Sequence, residues 1–270
     1  GIPSHGRLYV GYSSGVITYI DIYQGFEEKE FVTTPHNLTG LTGVDSGVFA
    51  MNGNDLYSSR ALYTYDGTGN LADRWNFQTD WSAEYVWDPV YRRIYHLRDH
   101  WSPNDIRYME IHPDLRVGDV VDSPYHGQIE FHHPVRVSPS GKLIAIGTGR
   151  VFNESLQSVD NLATGYVDAV WVGRFLYTVA STIAGSSRVG WASGAGLDSV
   201  GYVSVDGEPL AILHVPQGVV VVTDVAGIPQ FTLLDTRLGL PVGHEELAGI
   251  LIVFLGIWRL RSMRSISAFR

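Results

Sequence analysis

A histidine and a carboxylate that share a pocket can hold a divalent cation or move a proton on a substrate. His133 and Glu208 are the residues of this sequence best suited to that chemistry, with Glu130 close by in the chain. Each stands just ahead of an apolar segment. Thr39, Ser82 and Tyr166 occupy the same point before related segments, and Trp81 and His132 adjoin two of these positions. The expectation is that His133 and Glu208 are catalytic and that Thr39, Trp81, Ser82, His132 and Tyr166 bind ligand. No dedicated metal-ligand set is expected, although the His/Glu pair would accept a divalent cation. The same residues would also serve as turn residues bonded to neighbouring loops.

Other spacings carry less chemistry. Gly11-Tyr12-Ser13-Ser14-Gly15 fits G-x-S-x-G, but that nucleophile turn must lead into a helix, and here VITYIDI follows, a strand pattern. A hairpin turn is expected. His96 and His100 are four apart, which juxtaposes side chains on a helix and not on a strand; His132 and His133, being adjacent, point to opposite faces of one. The run from Asp66 to Asn70 lacks the bidentate Glu of a calcium loop and reads as a turn. The absence of cysteine excludes disulfides, thiolate metal sites and a Cys nucleophile.

The elements that must position these groups are strands. From His132 to Gly149 the chain reads HHPVRVSPSGKLIAIGTG. Val135 and Val137 alternate with Arg136, the period of a half-buried strand. Ser138-Pro139-Ser140-Gly141 is turn chemistry, and Leu143 to Ile146 is an apolar run suited to a strand buried on both faces. Degenerate copies of this unit start at Leu8, Val48, Ile94, Leu143, Phe175 and Val219, about 42 residues apart on average, in the range of a four-stranded propeller blade, about 40–50 residues. In the fourth copy, Val167 to Trp171 is expected to be the closing strand; in the sixth, the pattern stops after Phe231 to Asp235.

Composition narrows the partners. A net charge of −9 gives no general electrostatic footprint for nucleic acid. Residues 1–236 are expected to form the repeat domain. Residues 237–270 differ: Leu247 to Trp258 is apolar or Gly and Arg259, Arg261, Arg264 and Arg270 follow. Twelve residues are too few for a membrane span, which takes about 20, so the tail is expected to dock as a helix, complete the last repeat with strands, or be a non-native extension. With no initiator Met, the chain is expected to be processed or a fragment.

HPVRVSPSGKLIAIG (133–147), YVWDPVYRRIYHL (85–97) and DAVWVGRFLYTV (168–179) resemble the repeats of the β-propeller superfamily, with its YVTN-, NHL- and WD40-like members. The Gly-His and Trp-Asp pair of WD40 repeats does not recur. The resemblance covers residues 6–236 and implies an all-β propeller of four-stranded blades, five full and a partial sixth. It also implies that the loops entering the inner strands face a channel mouth where ligands bind. The expected function is a binding or interaction domain of a bacterial extracellular or envelope protein, secreted or periplasmic. The alternatives are a hydrolase or lyase, lactonase- or glycosidase-like, and a carbohydrate-binding propeller using Trp81, Trp101 and Trp191. The expected partner is a protein, small molecule or carbohydrate at the mouth, and incomplete closure would allow self-association.

Overall fold

A computed structural model describes residues 6–21, 23–45, 47–52, 61–76, 82–99, 102–162, 164–182, 185–193, 197–235 and 240–242. Trp81, Trp101 and most of the basic, apolar tail lie outside the described residues. Among those described, every regular element is a strand, and the strands form six antiparallel sheets.

The first sheet has three strands, β1 (Arg7–Gly11), β2 (Val16–Asp21) and β3 (Glu28–Thr33). The other five have four each. The second holds β4 (Leu38–Val44), β5 (Gly47–Asn52), β6 (Ala61–Tyr65) and β7 (Leu71–Asn76). The third holds β8 (Tyr85–Asp88), β9 (Arg93–Leu97), β10 (Ile106–Ile111) and β11 (Val117–Asp122). The fourth holds β12 (Val135–Val137), β13 (Leu143–Ile146), β14 (Arg150–Asn153) and β15 (Ser158–Asn161). The fifth holds β16 (Asp168–Val172), β17 (Phe175–Ser181), β18 (Ser186–Ser193) and β19 (Asp198–Asp206). The sixth holds β20 (Glu208–Val215), β21 (Gly218–Val225), β22 (Ile228–Asp235) and β23 (Leu240–Val242). Each sheet is a meander in which consecutive strands pair.

Burial follows strand position. The middle strands β6 and β13 are almost wholly buried, as is β21 up to Thr223, and their sequences (ALYTY, LIAI, GVVVVT) are the near-continuous apolar runs that burial on both faces requires. The last strands β11, β15 and β19 mix exposed with half-buried positions and carry Asp119, Asp122, Asp160 and Asp198, charges that keep an open edge from pairing with another chain.

The sheets fall into two compact units, residues 1–166 with 173–175 and 193–198, and residues 167–172, 176–192 and 199–270. In the first unit, the first strands neighbour one another in order, β1 beside β4, β4 beside β8 and β8 beside β12. The cores lie between successive sheets. Ile17 packs with Val48, Ala50 and Tyr63; Phe49 and Leu62 pack with Tyr85, Trp87 and Met109; Tyr95 and Ile106 pack with Val135, Ile144 and Phe152. Side chains of this size each stabilise by about 1.5–3 kcal/mol when buried. In the second unit, β16 lies beside β20, and Val220, Val222 and Leu233 form a core cluster within the sixth sheet.

Two expectations are corrected. Val167 to Trp171 does not close the fourth repeat: it falls in β16, which opens the fifth sheet, while β15 closes the fourth. The repeat as read from apolar runs begins on the second strand of each later sheet, because the first strand lies ahead of the turn. The sixth sheet also does not stop at Asp235, since Leu240–Val242 supplies its fourth strand, and the three-stranded sheet is the first.

Candidate functional site

The four-stranded sheets share one feature. Thr39, Ser82, His133, Tyr166 and Glu208 each lie at the entry to the first strand of a different sheet, within β4 or β20 or two to three residues ahead of β8, β12 or β16. Four belong to the first unit and Glu208 to the second.

His133 is the best-connected of them. Its Nε2 lies 2.9 Å from Asp99 Oδ1 and 2.8 Å from Oδ2. Its Nδ1 lies 3.6 Å from Glu84 Oε2, an ion-pair separation rather than a hydrogen bond. Asp99 is in the β9–β10 loop and also accepts the Ala83 amide at 2.6 Å. Glu84 leads into β8; it accepts the Val135 amide at 2.9 Å and pairs with the Arg136 guanidinium. His133 is in the β11–β12 loop, so the ring ties loops of two neighbouring sheets together.

Charge follows from this geometry. Burial disfavours the imidazolium, but the two carboxylates outweigh it and push the His133 pKa up to about 9. Burial likewise opposes the Glu84 carboxylate, and the contacts with His133, Arg136 and the Val135 amide outweigh it, so its pKa is lowered. At neutral pH His133 is therefore a cation between two anions.

A glycine makes this approach feasible. A Cβ on Gly147 would stand 1.9 Å from the His133 carbonyl oxygen. The Gly147 amide donates to His132 O at 2.8 Å, and its carbonyl accepts the Tyr166 amide at 2.9 Å. Tyr166 itself is nearly buried.

Beside this cluster, the β9–β10 and β11–β12 loops enclose a groove of about 430 Å³, within the usual range for small-molecule sites, about 300–1,000 Å³. His132 lines it with Ser102, Pro103, His126, Ile129 and Glu130. His132 Nε2 is 3.0 Å from Glu130 Oε1, and both side chains are exposed. His126 Nδ1 is 3.2 Å from Oδ2 of Asp105, whose side chain is fully buried. Burial raises the Asp105 pKa, against hydrogen bonds from the Ser123 hydroxyl and the Ile106 amide.

The remaining positions are placed as follows. Ser82 is fully buried; its hydroxyl donates to Glu84 O at 2.8 Å and accepts the Leu97 amide at 3.3 Å. Thr39 sits half-buried at an irregularity in the β4–β5 pairing. Glu208 opens β20, exposed. His133 meets Asp99 and Glu84, residues that no local spacing marked. Gly11 to Gly15 is the β1–β2 hairpin turn, closed by the Gly15 amide on Tyr12 O at 2.9 Å. The Asp66 carboxylate accepts from Thr68 and Asn70 within its own turn. Among the described residues, no group of three or more His, Asp and Glu is arranged to hold a metal ion, and no helix is long and apolar enough to cross a membrane.

The sequence matches no family model and no curated protein. The fold does match solved structures. A functionally unknown protein from Desulfotomaculum acetoxidans DSM 771 aligns with a TM-score of 0.63 at 14% identity, over 90% of this chain and 83% of that one. Dihydro-heme d1 dehydrogenase NirN, solved in complex with DHE, aligns at 0.65 and 12% identity, over 88% of this chain and 53% of its own. TolB from Acinetobacter baumannii aligns at 0.56 and 13% identity, over 90% and 65%. This chain thus spans about half of NirN and just under two thirds of TolB. The last two carry β-propellers, and the all-β meander architecture described above is propeller-like. At such identities the likeness concerns the fold alone.

Proposed function

We propose that this chain is a ligand-binding β-propeller domain whose site is the groove between the β9–β10 and β11–β12 loops. The observation that carries the reading is the His133–Asp99 contact, which pins together the two loops that form the groove. Binding surfaces gain affinity when their walls are fixed before the ligand arrives.

The competing reading makes His133 and Glu208 the acid–base pair of a hydrolase or lyase. A general base must be unprotonated at working pH. With a pKa of about 9, the His133 ring is protonated at neutral pH, and its Nε2 faces Asp99. That disfavours His133 as the general base of such a pair and fits a clamp.

A panel of ester, lactone and glycoside substrates at neutral pH decides between them. The binding reading expects no turnover by the wild-type chain. Turnover that disappears in both His133→Ala and Glu208→Ala would overturn it.

A further inference from the structure

We infer that the groove takes a neutral, hydroxyl-rich ligand of sugar type, an assignment that rests on the ligand-binding reading above. Among the described residues, no Lys or Arg lines the groove, so an anionic ligand would meet the exposed Glu130 carboxylate with no permanent cation to offset it. A cationic ligand fares little better. Among the described residues it would find a single exposed carboxylate, Glu130, because Asp105 is fully buried behind His126.

A purely apolar ligand is also disfavoured. Phe131 is only 3% exposed, so among the described residues half-buried Pro103 and Ile129 supply the apolar surface beside exposed Ser102, His126, Glu130 and His132. A pyranose ring suits that mixture. One face presents C–H groups that pack on Pro103 and Ile129. Its rim presents hydroxyls that donate to the Glu130 carboxylate and either donate to or accept from Ser102, His126 and His132.

The walls are fixed in advance. Asn104 Nδ2 donates to Phe131 O at 3.3 Å, bridging the two loops. His126 with Asp105, and His133 with Asp99, make the same connection at two further points. A weak polar ligand then pays little to order the site.

The test is an amide NMR titration of the full chain at neutral pH. The probes are methyl glycosides of glucose, galactose, mannose and N-acetylglucosamine, with glucuronate and glucosamine as charged counterparts. The expected result is that at least one neutral glycoside shifts the amides of Ser102, Asn104 and 126–132 at millimolar concentration. Glu130→Gln and His132→Ala, each with a folded spectrum, should then weaken binding about three- to tenfold, the worth of one hydrogen bond. If glucuronate or glucosamine moves those amides and no neutral glycoside does, the ligand class is wrong and the groove stands. If the probes move only residues outside the two loops, the groove itself is wrong. If no probe binds, the sugar assignment is overturned.

Discussion

His133 and Asp99 stand 34 residues apart in the chain, and the imidazole Nε2 of one lies 2.8 Å from the carboxylate Oδ2 of the other. One residue follows the second strand of the third sheet and the other precedes the first strand of the fourth. The contact therefore joins two sheets at the end where the first strands begin, and Glu84 reinforces it from the third-sheet side.

This arrangement makes stability depend on pH. The folded-state pKa of His133, about 9, lies above the 6.5 of a free imidazole. Folding thus takes up a proton at this site. Its contribution is complete below 6.5, shrinks as pH rises between the two values, and is gone once pH passes through 9. Urea midpoints measured across that window should fall in the wild-type chain and fall less in His133→Gln. Equal slopes would mean that the ring is not held as a cation.

Gly147→Ala should be among the most damaging single substitutions in the first unit. The added methyl would meet the His133 carbonyl oxygen at 1.9 Å, a backbone atom that cannot rotate away. Forcing the loop aside costs about 1–3 kcal/mol. Thermal unfolding should register that loss, and the groove amides of 126–132 should shift with it. A Tm equal to wild type would show that the loop is free to move.

A carboxylate staple recurs between first strands. Glu84 accepts the amide of Val135 at 2.9 Å, and Asp168 accepts the amide of Ile212 at 3.0 Å. Each sits two residues beyond the shared entry position, after Ser82 and after Tyr166. Truncating either leaves a strand amide without its charged acceptor, worth about 1.5–3 kcal/mol. Glu84→Ala and Asp168→Ala should destabilise to a similar degree in denaturant titrations, with Glu84→Ala also lowering the His133 pKa.

Ser82→Ala separates a structural hydroxyl from a ligand-binding one. Its Oγ bonds Glu84 O and the Leu97 amide in a fully buried setting. The expected change is a stability loss of about 1–3 kcal/mol, with the affinity of any groove ligand retained in the folded fraction. Loss of affinity at unchanged stability would assign Ser82 to the site instead.

Much of this fold was legible in the chain. Leu143 to Ile146 and Val219 to Val222 are runs that only a strand covered on both faces would tolerate, and they became the middle strands β13 and β21. The five entry residues fall before or within the first strands of the four-stranded sheets. The charge partners of His133 were not legible. Asp99 and Glu84 belong to the preceding sheet, and nothing in a linear spacing encodes contacts across a junction. The equivalent placement of Glu84 and Asp168 in their repeats was the one available signal. The offset of one strand arises because the repeat is anchored on the apolar run after the turn, which leaves strands such as Val135–Val137 ahead of the anchor.

The protonation state of the His133 ring tests the account most directly. In a histidine-selective ¹⁵N NMR titration, both ring nitrogens should carry protons at neutral pH, with a midpoint near 9. A His133 ring already neutral at pH 7 would contradict the clamp and restore the residue as a candidate base.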